Sequence, residues 1–204
     1  LRAAALKGGE AAIEAAVALF PGSYDCGDVI ASDLCNVNMI VHPPGAMLGA
    51  ARVEATGGDF TFYVQGLTDG VVRVMEALDR ERIAVARAFG HHLPTIIGEM
   101  RAIGTVPADA PGDDYRAIAS GEANRRIKAP DSLTHRYYVE DFSHGLTPFL
   151  VFAAIAGVAT PTATALVNLH ATMVTGLPKP PARDARAMGL VGATMESFHR
   201  RVKD

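Results

Sequence analysis

The chain has 204 residues, a formal net charge of −3 at pH 7 and 49% hydrophobic residues, a composition typical of a globular protein. The small net charge, without a basic patch, gives no electrostatic reason to expect a nucleic-acid partner. The longest apolar run, residues 149–156, is too short to cross a bilayer, so we expect no membrane partner. Two cysteines, Cys26 and Cys35, form neither a disulfide framework nor a metal-ligand pattern, which favours the cytoplasm.

The first 20 residues are rich in alanine, and their apolar residues recur at roughly helical spacing. The pair Gly8-Gly9 predicts a break in that helix. The start of the chain shows no charged region followed by a hydrophobic core, so no signal peptide is predicted. The chain also lacks an initiator methionine and begins within the alanine-rich pattern. We therefore expect these 204 residues to be a fragment of a longer protein.

Residues 29–41 predict a buried helix that carries Asn36 and Asn38 and leads to His42, which is followed by two prolines. Asn38 and His42 are four positions apart and would share a helix face. Pro43 biases His42 away from helical geometry, so we expect the helix to end or kink there and a second helix to cover residues 46–55. A histidine at such a break could serve a cavity, and the bland alternative is a core histidine bonded to a carbonyl group.

The clearest amphipathic helix is predicted between Thr68, a candidate N-cap, and Gly90, a natural residue just beyond a helix end. A short extended segment is expected before it, over residues 60–64. Shorter helices are expected over residues 93–103 and 115–120, separated by a loop at 104–114. Three further helices are predicted at 146–157, 162–176 and 188–203, with a rigid proline-rich linker at 178–181.

A second polar cluster, residues 136–145, places acidic residues beside aromatic ones. A buried carboxylate needs a partner, and a histidine would make the pair chemically useful. The carboxylate would fix one ring nitrogen and leave the other free for proton transfer. The alternative is that Glu140 and Asp141 cap a helix that begins near Leu146.

With seven to nine predicted helices and almost no strand, the fold class is all-α, an irregular multi-helix arrangement forming one domain over residues 1–204. No His-Glu-x-x-His motif is present, and no metal site is predicted. The chain also lacks a Gly-x-Ser-x-Gly elbow and both common glycine-rich nucleotide-binding motifs.

Four blocks, taken in this order, resemble the opine dehydrogenase family, which includes the octopine and nopaline dehydrogenases. They are Asn-x-Asn-x-x-x-His-Pro at 36–43, an aromatic-Gly block at 62–66, Leu-Asp-x-Glu-Arg at 78–82, and Arg-Tyr-x-x-Glu-Asp with a following Gly-Leu and Pro at 136–148. The resemblance implies the helical domain that follows a Rossmann domain in these enzymes and in 6-phosphogluconate-dehydrogenase-like enzymes. The Rossmann domain is missing from the 204 residues, so the resemblance implies that the fragment alone is inactive.

The same resemblance implies an NAD- or NADP-dependent oxidoreductase that joins an amino acid to a 2-oxo acid such as pyruvate, with the cofactor bound mainly by the Rossmann domain. His42 would be the acid–base catalyst and Asp141 its partner carboxylate. Asn36 and Asn38 would bind substrate. The carboxylate of the 2-oxo acid also needs a cation, for which Arg136 is a candidate beside three other basic residues, Arg125, Arg126 and Lys128.

Two other functions remain open. A ketopantoate- or hydroxyacid-type dehydrogenase would reduce a carbonyl without an amine, often with a lysine in the site, but neither polar cluster contains a lysine. A non-catalytic helical binding or dimerisation module would instead use the Ala-rich first helix and the apolar residues 146–174 as an interface, for example in a homodimer.

Overall fold

A computed structural model describes residues 2–5, 9–110, 112 and 114–203. Leu6 and Gly8 of the predicted first helix lie outside this range. Within it, the chain forms two very short strands, two π-helical segments and ten α-helices. In order these are β1 (Arg2–Ala3), α1 (Glu10–Leu19), β2 (Tyr24–Asp25), α2 (Val29–Leu34), α3 (Asn38–Thr56), the π-helical segment Phe62–Gly66, α4 (Asp69–Ala88), α5 (Ile96–Ala102), α6 (Ala117–Ser120), α7 (Arg136–Glu140), the π-helical segment Asp141–Leu146, α8 (Thr147–Ala156), α9 (Pro161–Met173) and α10 (Met195–Lys203).

The predicted all-α class is confirmed. The two strands were not predicted. One strand precedes α1 in the sequence and the other follows it. They pair in parallel, with Arg2 opposite Tyr24 and Ala3 opposite Asp25. Strands of two residues are too short to show an alternating pattern in a sequence.

Helices α2 and α3 replace the single helix expected over residues 29–41. Helix α3 continues through Pro43 and Pro44, so the expected end of the helix at His42 is wrong, and the helix expected over residues 46–55 is part of α3. The prolines remove two backbone donors from the helix. Every residue from 39 to 46 is nevertheless buried, and burial on this scale outweighs a local preference for ending the helix. His42 therefore lies in the interior of a continuous helix.

Helix α4 is the predicted amphipathic helix. Its buried face includes Met75, Leu78 and Val85, each fully buried. Gly90 follows its end with φ of +86°, a conformation that favours glycine. Helix α4 packs against α3, α8 and α9, so the core lies between these four helices.

The Leu-Asp-x-Glu-Arg block on α4 ties several segments together. Asp79 and Arg82 are fully buried, and the distance from Nε of Arg82 to Oδ1 of Asp79 is 2.6 Å. Arg82 also donates hydrogen bonds to the carbonyl oxygens of Leu34 at 3.0 Å and Pro94 at 2.6 Å. Asp79 accepts one from the backbone N–H of Ile96 at 2.8 Å. The buried ion pair therefore holds the end of α2 and the start of α5 against α4.

Two other segments depart from the prediction in kind or in their starting point. Residues 62–66 form a π-helical turn instead of an extended segment, although Thr61 just before it forms an antiparallel bridge with Lys128. The last helix begins at Met195, because Gly189 and Gly192 adopt positive φ values of 65° and 70° that interrupt a helix.

Candidate functional site

The imidazole of His42 and the carboxylate of Asp141 meet in the interior. The distance from Nδ1 of His42 to Oδ2 of Asp141 is 2.9 Å, and the residues are 4% and 6% exposed. A carboxylate can only accept a hydrogen bond, so Nδ1 carries the proton and donates a hydrogen bond to Asp141. This arrangement fixes the tautomer of the ring, with the lone pair on Nε2.

Asp141 occupies the first position of the second π-helical segment, immediately after α7. Widened π turns are rare and often occur at functional sites. Glu140, by contrast, is exposed and lies 3.5 Å from Arg136. The alternative in which Asp141 caps the next helix is therefore wrong for this residue, since its carboxylate is bonded to His42.

The other nitrogen of His42, Nε2, lies 3.0 Å from the hydroxyl oxygen of Tyr63. Because this nitrogen has the lone pair, the Tyr63 O–H donates to it. Tyr63 belongs to the first π-helical segment, where its neighbour Phe62 packs against Gly45. A Cβ at position 45 would lie 2.6 Å from the Phe62 ring, so glycine permits the close approach of this segment to α3.

Aromatic rings cover the imidazole. The Tyr137 ring stacks on it with a centroid distance of 3.7 Å and an interplanar angle of 20°. Phe62 meets it edge-on at 5.9 Å. The site is therefore a polar pair within a largely apolar wall, where electrostatic interactions are stronger than in water.

Burial raises the pKa of the Tyr63 hydroxyl strongly, and the neighbouring Tyr137 and the negative charge of Asp141 raise it further. Burial also raises the pKa of Tyr137. Both phenols are therefore neutral across the physiological range and can each donate and accept a hydrogen bond.

The three predicted substrate-binding residues lie in different places. Asn38 is half-buried at the first position of α3, on the same helix face as His42. Asn36 is exposed at the corner before α3, and its side-chain oxygen accepts a hydrogen bond from the backbone N–H of Asn38 at 3.1 Å. Asn36 also lines a cavity of about 480 Å³ together with Arg2 and Glu99.

Arg136 lies at the start of α7, five positions before Asp141, and its side chain is 54% exposed. The other basic candidates are paired at the surface. Arg125 and Arg126 lie 3.6 and 3.7 Å from Glu122, and Lys128 hydrogen-bonds Asp59 at 2.8 Å. Arg136 is thus the candidate cation closest in sequence to the His42–Asp141 pair.

Tyr63 and Tyr137 were not among the predicted site residues, although both fall inside the blocks that carry the family resemblance. The one indication in the sequence was that the blocks at 62–66 and 136–148 each contain a tyrosine. Aromatic residues are common in cores, so that observation alone would not have distinguished a site wall from ordinary packing.

No group of three or more His, Cys, Asp or Glu side chains suited to a metal ion occurs within the described parts of the chain. Among the helices that the structure describes, none combines the length and apolar character needed to span a bilayer.

Comparison with known proteins identifies the family. Residues 25–174 match the family described as NAD/NADP octopine/nopaline dehydrogenase, alpha-helical domain. The chain is 31% identical over 193 residues to an opine dehydrogenase from Arthrobacter sp., which covers 94% of this chain and 52% of that protein. It is 30% identical over 115 residues to a D-nopaline dehydrogenase from Agrobacterium vitis, with coverage of 54% and 26%. A vitopine synthase from Allorhizobium ampelinum is 22% identical over 152 residues, with coverage of 74% and 41%.

The chain thus spans about half the length of the Arthrobacter relative and less of the other two. The family match covers most of the chain, including every residue of the His42 site. From this match and from the helical architecture, the chain belongs to the NAD/NADP octopine/nopaline dehydrogenase family and contains its α-helical domain.

Proposed function

We propose that this domain supplies the substrate-binding and proton-transfer groups of an opine dehydrogenase. The reaction is the NADH- or NADPH-dependent reductive condensation of an amino acid with a 2-oxo acid such as pyruvate. The observation that supports it best is the buried His42–Asp141 pair, with 2.9 Å between Nδ1 and the carboxylate. The names of the relatives support the reaction class.

His42 moves the protons in this proposal. The lone pair on one imidazole nitrogen can take a proton, and the imidazolium that forms can return it. The ammonium group of the amino acid loses a proton to His42, and the free amine adds to the carbonyl carbon of the 2-oxo acid. A proton moves from the nitrogen to the oxygen, which gives a carbinolamine. The resulting hydroxyl group then takes a proton from the imidazolium and leaves as water, which produces an iminium ion.

Asp141 orients the ring and stabilises the imidazolium through Nδ1, as the carboxylate of a hydrolase triad does for its histidine. Its role is electrostatic, and no proton needs to reach it. The apolar wall of Tyr137 and Phe62 excludes water from the pair, which strengthens this interaction.

A bound nicotinamide cofactor would supply the hydride needed to reduce the iminium ion to a secondary amine. In the described residues no Gly-x-Gly-x-x-Gly loop joins a strand to a helix, so these residues do not fit the cofactor pyrophosphate. We assign cofactor binding mainly to a Rossmann domain outside the 204 residues. The chain by itself is then expected to be inactive.

Arg136 is proposed to grip the carboxylate of the 2-oxo acid. Its contact with Glu140 is exposed, and exposed ion pairs contribute only about 0–1 kcal/mol, so a substrate carboxylate can replace it. Asn38 would hydrogen-bond the substrate on the face of α3 that carries His42. Asn36 would add a second hydrogen bond to the substrate from the corner that precedes α3.

The test measures oxidation of NADH or NADPH by the protein that carries this domain together with its cofactor-binding domain. Pyruvate is supplied with and without each member of an amino-acid panel. We expect oxidation to require both substrates. Oxidation without an amine would instead identify a ketopantoate- or hydroxyacid-type reductase, and no oxidation with any substrate pair would favour a binding or dimerisation module.

A further inference from the structure

The proposed catalytic nitrogen of His42, Nε2, already has a hydrogen-bond partner within the protein. Nε2 of His42 faces the Tyr63 hydroxyl at 3.0 Å, and both side chains are at least nine-tenths buried. The opposite nitrogen is occupied by Asp141. A proton that leaves or reaches His42 through Nε2 therefore meets the Tyr63 oxygen first.

The Tyr63 hydroxyl has a second polar neighbour. The Tyr137 phenol lies close enough to raise the pKa of Tyr63, and the Tyr137 ring stacks on the imidazole. The Asp141 carboxylate, the His42 imidazole and the Tyr63 phenol thus form one hydrogen-bonded series, and the Tyr137 ring covers it. Networks of this kind hold each hydroxyl in a defined orientation, because each bond polarises the next.

We propose that Tyr63 relays the proton between His42 and the substrate oxygen. In the dehydration step the imidazolium Nε2–H passes its proton to the Tyr63 oxygen, and the Tyr63 O–H proton passes to the substrate hydroxyl, which leaves as water. His42 ends neutral, and Tyr63 keeps one proton throughout. The inference rests on the proposed condensation reaction.

The surroundings require the two transfers to be concerted. Burial and the nearby Asp141 charge raise the pKa of Tyr63, so a free tyrosinate in this pocket is strongly disfavoured. A stepwise transfer through tyrosinate would be slow for that reason. A phenol that gains one proton as it loses another avoids this intermediate.

Tyr63→Phe tests the relay, because it removes one oxygen and keeps the ring. Tyr138→Phe is the matched control, since Tyr138 is also buried but donates its hydroxyl proton to the Ala46 carbonyl, at 2.8 Å. Turnover is measured in mixtures of H2O and D2O with saturating pyruvate and amino acid. We expect Tyr63→Phe to lower kcat by about 10-fold or more with KM changed by less than about 3-fold. In the unaltered protein, a plot of kcat against the fraction of D2O should be curved, because two protons move. In Tyr63→Phe the same plot should be linear.

Two results would overturn the relay. One is an unchanged kcat and an unchanged curve in Tyr63→Phe. The other is an increased kcat with a lower KM, which would mean that Tyr63 merely blocks Nε2 until substrate replaces it. An equal loss in Tyr138→Phe would reduce the effect to a general packing defect and would also contradict the relay.

The nitrogen-15 NMR resonance of His42 Nε2 separates failure of the relay from failure of the proposed reaction. Loss of the Tyr63 hydrogen bond should shift this resonance downfield in Tyr63→Phe and leave it unchanged in Tyr138→Phe. An unshifted resonance contradicts the relay whatever the activity. A shifted resonance in a protein without amine-dependent turnover contradicts the proposed reaction, and the relay fails with it.

Discussion

Nδ1 of His42 lies 2.9 Å from Oδ2 of Asp141, although 99 positions separate the two residues in the sequence. Both residues are buried, and the hydrogen bond between them lies inside an aromatic wall. An unpaired buried charge is costly, so the two residues act as a unit.

Substitution of either residue should therefore abolish most of the turnover. His42→Ala and Asp141→Asn are expected to lower kcat by at least about 10²-fold, the low end for the loss of general acid–base catalysis. The measurement is amine-dependent NADH or NADPH oxidation. Asp131→Asn, which changes an exposed carboxylate, is the control and should retain normal turnover. Near-normal turnover in His42→Ala would remove this residue from the mechanism.

Arg136→Gln should weaken binding of the 2-oxo acid more than it slows the reaction. A guanidinium can hold a carboxylate with two hydrogen bonds, and glutamine cannot replace its charge. We expect KM for pyruvate to rise by about 10-fold or more, equivalent to about 1.4 kcal/mol. Arg126→Gln, at an 85% exposed side chain paired with Glu122, should leave KM unchanged. Equal effects in both variants would point to a loss of general surface charge.

Arg82→Met should strongly destabilise the fold. It leaves the fully buried Asp79 carboxylate without its cation, and removal of one member of a buried pair costs about 3–5 kcal/mol. The free energy of unfolding is measured with urea. A double variant, Asp79→Leu with Arg82→Met, removes both charges and should recover part of the loss. A double variant less stable than Arg82→Met would show that the pair is not the main source of the cost.

Glu81→Gln should weaken the start of α9. The Glu81 carboxylate accepts hydrogen bonds from the backbone N–H groups of Thr162 at 2.7 Å and Ala163 at 3.0 Å. A negative charge at a helix N-terminus is favourable, and we expect a loss of about 1 kcal/mol in the free energy of unfolding. Glu76→Gln, at another half-buried carboxylate of α4, is the matched control and should cost less.

His170 should make the protein less stable in mild acid. Burial lowers the pKa of this histidine below its ordinary value of 6.5. The unfolded chain therefore binds a proton at a higher pH than the folded chain does, so stability is greatest above about pH 6.5 and falls as the pH drops through the folded-state pKa. His170→Leu keeps an apolar contact with Phe142 and should reduce that fall between pH 7.5 and pH 5. An identical pH dependence in both proteins would contradict this assignment.

The helical class and helix α4 were predictable because an amphipathic repeat over 20 residues is a strong local pattern. The path of α3 through Pro43 was not, because burial of the surrounding helix outweighs the local preference of proline. The family resemblance supplied the pairing of His42 with Asp141. Local spacing contains no information about a contact across 99 positions.

The partner of Nε2 was missed for a related reason. Tyr63 lies in a segment that was expected to be extended, and an extended chain would have placed successive side chains on opposite faces. Only the π-helical turn, which depends on the close packing of Phe62 against Gly45, brings its hydroxyl to His42.

Both hydrogen-bond partners of His42 lie on π-helical segments, Tyr63 on one and Asp141 on the other. Such a turn holds one residue more than an α-helical turn and can relax to it by deletion of that residue. One residue corresponds to about 100° of rotation in an α-helix. Deletion of one residue from positions 141–146 would close the wide turn to an α-helical turn, turn the side chains at its start by about this angle and so carry Asp141 away from the imidazole. At this point chain length matters as much as side-chain identity, so relatives of this chain should tolerate substitutions here far better than single-residue deletions.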